Sequence, residues 1–258
     1  GVVALQSTES GQANLISEQE GLFTLLTQGM VGGALVKSTD LIDVLVHAQV
    51  IREDYTAFLA LAREPDLKFV VSNTTEAGIS FKASDSPELT PPESYPAKLT
   101  LFLYERFKHF KGSLESGLIV LPCELITQNA DNLKALILRY IEDWKLEADF
   151  KAWVLHANAF YNTLVDRIVS GYPNTNTVKI KQNLGYEDAL MVTSEPFFLW
   201  AIEANETLKE LLPFHLTPLN VKIVPDLQPY HTRKIRILNG AHTIPHVQIL
   251  KATRKGAA

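Results

Sequence analysis

Lys98-Leu-Thr-Leu-Phe-Leu-Tyr-Glu-Arg-Phe-Lys-His-Phe110, followed after a short link by Gly117-Leu-Ile-Val-Leu-Pro122, decides the fold class. Leu99, Phe102, Leu103 and Phe110 recur at helical spacing, with Lys98, Glu105, Arg106 and Lys108 between them. That is the pattern of an amphipathic helix lying against a sheet. Gly117–Pro122 reads as the next strand, and Lys68-Phe-Val-Val-Ser72 as a buried strand before the helix. Further out, Tyr55–Arg63 has helical spacing. Leu133, Leu136, Ile137, Tyr140, Ile141 and Trp144 mark a second amphipathic helix, with Asp131 or Asn129 as its cap. Val2–Gln6 reads as a short buried strand. Gly21–Gln28 and Ala34–Lys37 flank the turn Gly29-Met-Val-Gly-Gly33 as a hairpin. Phe197–Ile202 and Asn220–Val224 are later strands, and Ser84–Pro96, rich in Pro and Ser, is expected as a surface loop. Strands alternating with covering helices define an α/β fold with a mostly parallel sheet.

Composition narrows the function classes. The 258 residues suffice for one large domain or two small ones, and the 46% apolar and 21% charged fractions are those of a globular protein. A net charge of −5 with scattered basic residues argues against a nucleic-acid surface or an anionic-membrane patch. A single cysteine, Cys123, excludes an internal disulfide and points to a reducing, cytoplasmic compartment. No apolar run approaches the ~18 residues of a transmembrane helix, and the N-terminus has no signal-peptide pattern. Gly1-Val-Val-Ala-Leu reads as a strand beginning in mid-fold, so the chain is expected to be a piece of something longer.

The chemistry concentrates in Lys234-Ile-Arg-Ile-Leu-Asn239-Gly-Ala-His242-Thr. On a helix, Asn239 and His242 are one turn apart and share a face. Lys234 lies two turns before His242, about 80° round the axis at ~100° per residue. A titratable cation, an amide donor and an imidazole then converge on one small volume that could polarise a carbonyl and move a proton. The plainer alternative is a solvated lysine, a capping asparagine and a packed histidine.

In open α/β sheets, ligands gather at the carboxyl ends of the strands, and two such ends carry polar loads. Ser72-Asn73-Thr74-Thr75-Glu76-Ala-Gly78 offers hydroxyls, an amide and a carboxylate to a nucleotide's ribose, phosphates or nicotinamide. Its alternative is a turn with local capping. In Pro122-Cys-Glu-Leu-Ile-Thr-Gln-Asn129, Asn129 could donate to a substrate oxygen or simply open the following helix. Cys123 reads as a small packed residue, since no base adjoins it. No G-x-G-x-x-G follows a strand; Gly29, Gly32 and Gly33 have the wrong spacing. No metal-ligand set is evident: His242 and His246 are four apart, but Pro245 between them disfavours a continuous helix.

Eight blocks fall in an order similar to that of a known family: Gly1–Ser7, Glu20–Thr24, Tyr55–Ala62, Phe69–Ile79, Tyr95–Thr100, Pro122–Ile126, Leu164–Pro173 and Lys234–Thr243. They resemble the mannitol dehydrogenase family of polyol-specific long-chain dehydrogenases, in particular its uronate-reducing members. The resemblance implies zinc-independent chemistry with NAD as cofactor and a Rossmann-like N-terminal domain before a mostly helical C-terminal one. For this chain it implies an incomplete Rossmann-like, mostly parallel sheet over 1–228, lacking its first βαβ unit. The truncated start of the helical domain would then occupy 229–258.

By the same resemblance, the family signature is kept as Lys234, Asn239 and His242. Lys234 would be the general acid/base, protonating the C3 keto oxygen as NADH delivers hydride. Partial desolvation near a cationic cofactor would lower its pKa toward neutrality. Asn239 would help hold the developing alkoxide and His242 would orient the substrate. Glu76 matches a family carboxylate near the lysine. Asp166 and Arg167 match a Val-Asp-Arg-Ile element, with Asp166 on the substrate side. Asn129 falls where the family reads Asn-Gly, whereas here Asn-Ala stands. His231 stands where mannitol-oxidising relatives carry a glutamate, which favours a uronate over a neutral polyol. The expected activity is interconversion of D-tagaturonate and D-altronate, with a small sugar acid as partner and neither nucleic acid nor membrane. The alternatives are an inactive truncated remnant or a mannitol or other polyol dehydrogenase. The oligomeric state is not legible.

Overall fold

The structure, a computed structural model, describes residues 1–234 apart from the side chain of Glu76. In chain order the elements begin with β1 (Val2–Gln6), α1 (Ala13–Glu18), β2 (Phe23–Val31), β3 (Ala34–Ile42), β4 (Leu45–Val50) and α2 (Tyr55–Leu61). Then come β5 (Phe69–Ser72), α3 (Tyr95–His109), β6 (Ile119–Pro122), α4 (Asn129–Asp143), α5 (Ala148–Ala157), β7 (Ala159–Phe160) and β8 (Thr163–Asp166). The remainder is β9 (Val169–Gly171), α6 (Thr177–Leu184), β10 (Val192–Ser194), β11 (Leu199–Glu203), α7 (Leu208–Leu211), β12 (Val221–Val224) and α8 (Gln228–Arg233).

Among the described residues, five of the eight strand pairings are parallel: β1 with β4, β5 with β6, β6 with β7, β2 with β10, and β11 with β12. The strands form four small sheets, ordered β1-β4, β3-β2-β10-β9, β12-β11-β8 and β5-β6-β7. The parallel, helix-covered α/β character expected from the alternation is therefore present.

β6 shows why its run is apolar throughout. Val120 enters the main core with Leu99, Phe102 and Leu103 of α3, Leu133, Ile137 and Ile141 of α4, and Phe150, Trp153 and Val154 of α5. Its neighbours Ile119 and Leu121 face the opposite way, against Ile202 of β11 and Leu208 of α7. Successive residues of a strand point to opposite faces, so a strand covered on both sides must be apolar at every position.

Two local expectations are revised. The hairpin is present, but β2 runs on to Val31 and Gly29 pairs with Val36 inside the ladder. The turn is only Gly32-Gly33, both at positive φ (58° and 85°), the left-handed pair a two-residue hairpin loop requires. The segment Ser84–Pro96 is not a free surface loop. Asp85 is buried and accepts from the Glu93 and Ser94 amides and from the Tyr140 hydroxyl of α4, while Pro96 already lies in α3.

The polar positions of α3 are also not all solvated. Arg106 is 1% exposed and Lys98 4%. The Arg106 guanidinium donates to Ser116 O at 2.6 Å, Ala62 O at 2.9 Å, Glu64 O at 2.8 Å and Leu67 O at 3.1 Å. It thereby pairs with carbonyls of two loops, after α2 and before β6.

Candidate active site

The site is assembled at β8 and α8. Leu227, directly before α8, is buried with Leu164 of β8 and Ala201 of β11, and Tyr230 packs on the same cluster. The Leu227 amide donates to Glu203 Oε1 at 3.2 Å and the Gln228 amide to Asp226 Oδ1 at 2.8 Å. Pro229 sits in the first turn, where its missing N–H costs nothing. Lys234 follows with helical backbone angles. Its Nζ donates to Val165 O at 2.7 Å and stands 3.5 Å from Asp166 Oδ1. Lys234 is thus brought to Val165 and Asp166, which lie 69 and 68 residues earlier in the chain.

Asp166 and Arg167 diverge. The Arg167 guanidinium donates to Ser194 Oγ of β10 at 2.8 Å and reaches Thr27 Oγ1 of β2 at 3.4 Å. It ties β8 to the neighbouring sheet, while its buried Nε has no hydrogen-bond partner among the described residues. Asn239 and His242 lie outside the described residues, and so does the side chain of Glu76.

The other strand end is built around a residue that the sequence reading passed over. Glu124, directly after Pro122-Cys123, is buried. Its Oε2 accepts from Ser72 Oγ at 3.1 Å, and its Oε1 accepts from Thr74 N at 3.0 Å and Thr74 Oγ1 at 2.9 Å. Thr74 is therefore turned inward, while Asn73 and Thr75 are exposed and Glu76–Gly78 closes a single 3-10 turn. A charged residue just past a buried strand was the one available signal, and no spacing rule singles it out.

Asn129 is fully buried. The two N–H groups of its Nδ2 are shared among Pro122 O, Glu124 O and Thr163 O at 2.9–3.1 Å, and its Oδ1 accepts from Ala130 N and Thr163 N at 3.0 Å. Every hydrogen-bonding position of the amide is taken by the protein, so its work here is to stitch the end of β6 to the start of β8. Nor do Asn129 or Asp131 stand at the cap position of α4. That position is Gln128, in the left-handed region, and Asn162 Oδ1 accepts from the Ala130 and Asp131 amides at 3.0 and 3.2 Å. Cys123 is packed as expected, and burial pushes its thiol up to about 11.

Comparison with known proteins bears on the family and the fold. Residues 3–215 match the mannitol dehydrogenase Rossmann domain. Altronate oxidoreductases of Escherichia coli O1:K1 / APEC and of Escherichia coli O157:H7 (strain EC4115 / EHEC) are each 45% identical over 244 residues, which is 94% of this chain and 50% of theirs. The chain thus spans about half the length of the curated relatives it matches. Among solved structures, a substrate-free D-sorbitol dehydrogenase superposes with a TM-score of 0.73 at 20% identity, covering 94% of this chain and 51% of that one. Mannitol 2-dehydrogenase of Pseudomonas fluorescens, in a ternary complex with NAD and D-mannitol, gives 0.74 at 19% identity, covering 92% and 49%. At these identities the two structures speak to the fold.

Proposed function

The chain belongs to the mannitol dehydrogenase family, and from that premise we propose that it acts in an NAD-dependent hexuronate oxidoreductase interconverting D-tagaturonate and D-altronate. The observation that carries this reading is the Lys234 ammonium, held at the end of β8 by Val165 O and Asp166. The names of the 45% identical relatives support the substrate class.

The described residues suit a nicotinamide dinucleotide. The Ser72–Gly78 loop stands at the carboxyl end of β5, with Asn73 and Thr75 exposed to a ligand and Thr74 held back by Glu124. NAD, when bound, accepts or supplies the hydride. Lys234 gives its proton to the substrate oxygen as negative charge grows there, and takes it back in the reverse direction. Asp166 keeps the ammonium in place between turnovers. Asn239 and His242 are proposed to hold the alkoxide and orient the substrate. Glu76 is proposed to complete the cofactor side. Arg167 is proposed to serve the substrate side beside Asp166.

The division into a Rossmann-like part, 1–228, and the start of a helical part, 229–258, belongs to the same reading, as does a cytoplasmic setting. The test is substrate choice in the full-length protein, followed by NADH absorbance. D-tagaturonate should be reduced far better than D-fructose, because a site built to pair a carboxylate leaves its own polar groups unpaired when the carboxylate is missing. Comparable kcat/KM for the two ketoses would move the assignment to a neutral polyol.

A further inference from the structure

Glu124 is 2% exposed, and among the described residues no lysine, arginine or histidine stands within 4.0 Å of its carboxylate. Burying a carboxylate without a cation is costly unless several donors take the place of water. Here the donors are Ser72 Oγ, Thr74 N and Thr74 Oγ1, and all three belong to one loop.

The ladder between β5 and β6 ends where the Cys123 amide donates to Ser72 O at 2.6 Å. Beyond it, the chain turns back because Thr74 spends both its amide and its hydroxyl on Glu124. Gly78 shows how closely the turn then folds over this contact: a Cβ at Gly78 would collide with Thr74 Oγ1, the atom that donates to Glu124. The Gly78 amide closes the turn on Thr75 O at 2.7 Å. With Thr74 drawn inward, Asn73 and Thr75 are left exposed on either side of it. The Tyr95 hydroxyl, at the start of α3, is buried close to Ser72 and Glu124.

We propose that Glu124 is a positioning residue for the dinucleotide: by holding Ser72 and Thr74, it presets the loop in the shape that presents Asn73 and Thr75 to the cofactor. This rests on the reading of Ser72–Gly78 as the cofactor loop. Glu124 does not touch the cofactor. It acts by lowering the ordering cost that binding would otherwise meet. Within the loop, Thr74 is an anchor and the neighbouring Asn73 and Thr75 are the contacts.

The test compares the wild-type full-length protein with Glu124→Gln and Thr74→Val, using NADH as the probe. Gln keeps the shape but sets an NH2 group against N–H and O–H donors. Val removes one of the three donors at constant shape. Glu124→Gln should raise the Kd for NADH about tenfold to a hundredfold, the worth of hydrogen bonds to a charged group. Thr74→Val should raise it by less, in the same direction. The KM for NADH should follow, with kcat at saturating NADH nearly unchanged, and exchange of the Thr74 amide should speed up in Glu124→Gln. If Glu124→Gln does not fold, Thr74→Val carries the comparison. Unchanged NADH affinity in the variants overturns the role of Glu124 alone. An equal loss of kcat and affinity, together with a lower melting temperature, also overturns it, in favour of a purely structural part. A wild-type protein that binds no NADH overturns the cofactor reading itself, and this role with it.

Discussion

The Lys234 ammonium stands 3.5 Å from the Asp166 carboxylate, and the two side chains are only 16% and 20% exposed. An ion pair shielded to this degree is less screened than a surface pair, and its partner cannot easily be replaced by water. Lys234→Ala in the full-length protein should lower turnover about 10²–10⁴-fold, the usual worth of a general acid, with NADH binding nearly intact. Asp166→Asn should cost about ten- to a hundredfold, as loss of one charge-assisted contact does. Steady-state rates together with NADH fluorescence titration check both. Turnover within tenfold of wild type for Lys234→Ala would remove the lysine from the proposed chemistry.

Arg106 offers a test of stability far from the chemistry. Its guanidinium is the donor to the carbonyls of Ala62, Glu64, Leu67 and Ser116, and its ring contact is Phe110, 4.7 Å from the guanidinium carbon. Arg106→Met fills the volume but leaves those buried acceptors without the guanidinium. A destabilisation of about 2–3 kcal/mol is expected, because the carbonyls lose their donor. Urea unfolding measures it, and a midpoint close to wild type would show that water replaces the guanidinium.

Asn129 separates an architectural part from a ligand-binding one. Asn129→Ala removes the link among Pro122, Glu124 and Thr163 and should destabilise the fold by about 2–3 kcal/mol through unsatisfied backbone groups. Asn129→Asp should behave similarly, because a carboxylate cannot donate to any of these carbonyls. A variant that melts like wild type but loses substrate affinity would return Asn129 to the substrate.

The Cys123 thiol, pushed up to about 11 by burial from an ordinary 9.0, carries a pH signature. Between those two values the unfolded chain has released this proton and the folded one still holds it. Its contribution, on the order of 2 kcal/mol, is therefore fully present below about pH 9 and lost as pH rises through about 11. Cys123→Ala should unfold less steeply with alkaline pH than wild type over this window. The wild-type thiol should also react slowly with a disulfide reagent near neutral pH. Rapid modification of the folded protein would contradict the burial.

The alternation of helix and strand around Lys98–Pro122, the hairpin and the family were all legible in the sequence. Periodicity is a local property, and apolar residues recurring at period 3.6 or 2 report which face of an element is buried. Lys234 and Asp166 could likewise be singled out one at a time, as residue types placed where the family keeps them. Their pairing could not, because a lysine at the end of α8 and an aspartate at the end of β8 meet only after Leu227 and Tyr230 have docked on β8 and β11. The same limit explains the revisions. Arg106 and Lys98 carry the residue types of a solvated helix face, and Asn129 that of a helix opener or a ligand donor. Glu124 looked like one more charge at a strand end. What each does depends on which carbonyls or amides the rest of the chain brings within 3 Å, and buried backbone groups, which must be paired wherever they come to lie, are positioned only by the tertiary structure.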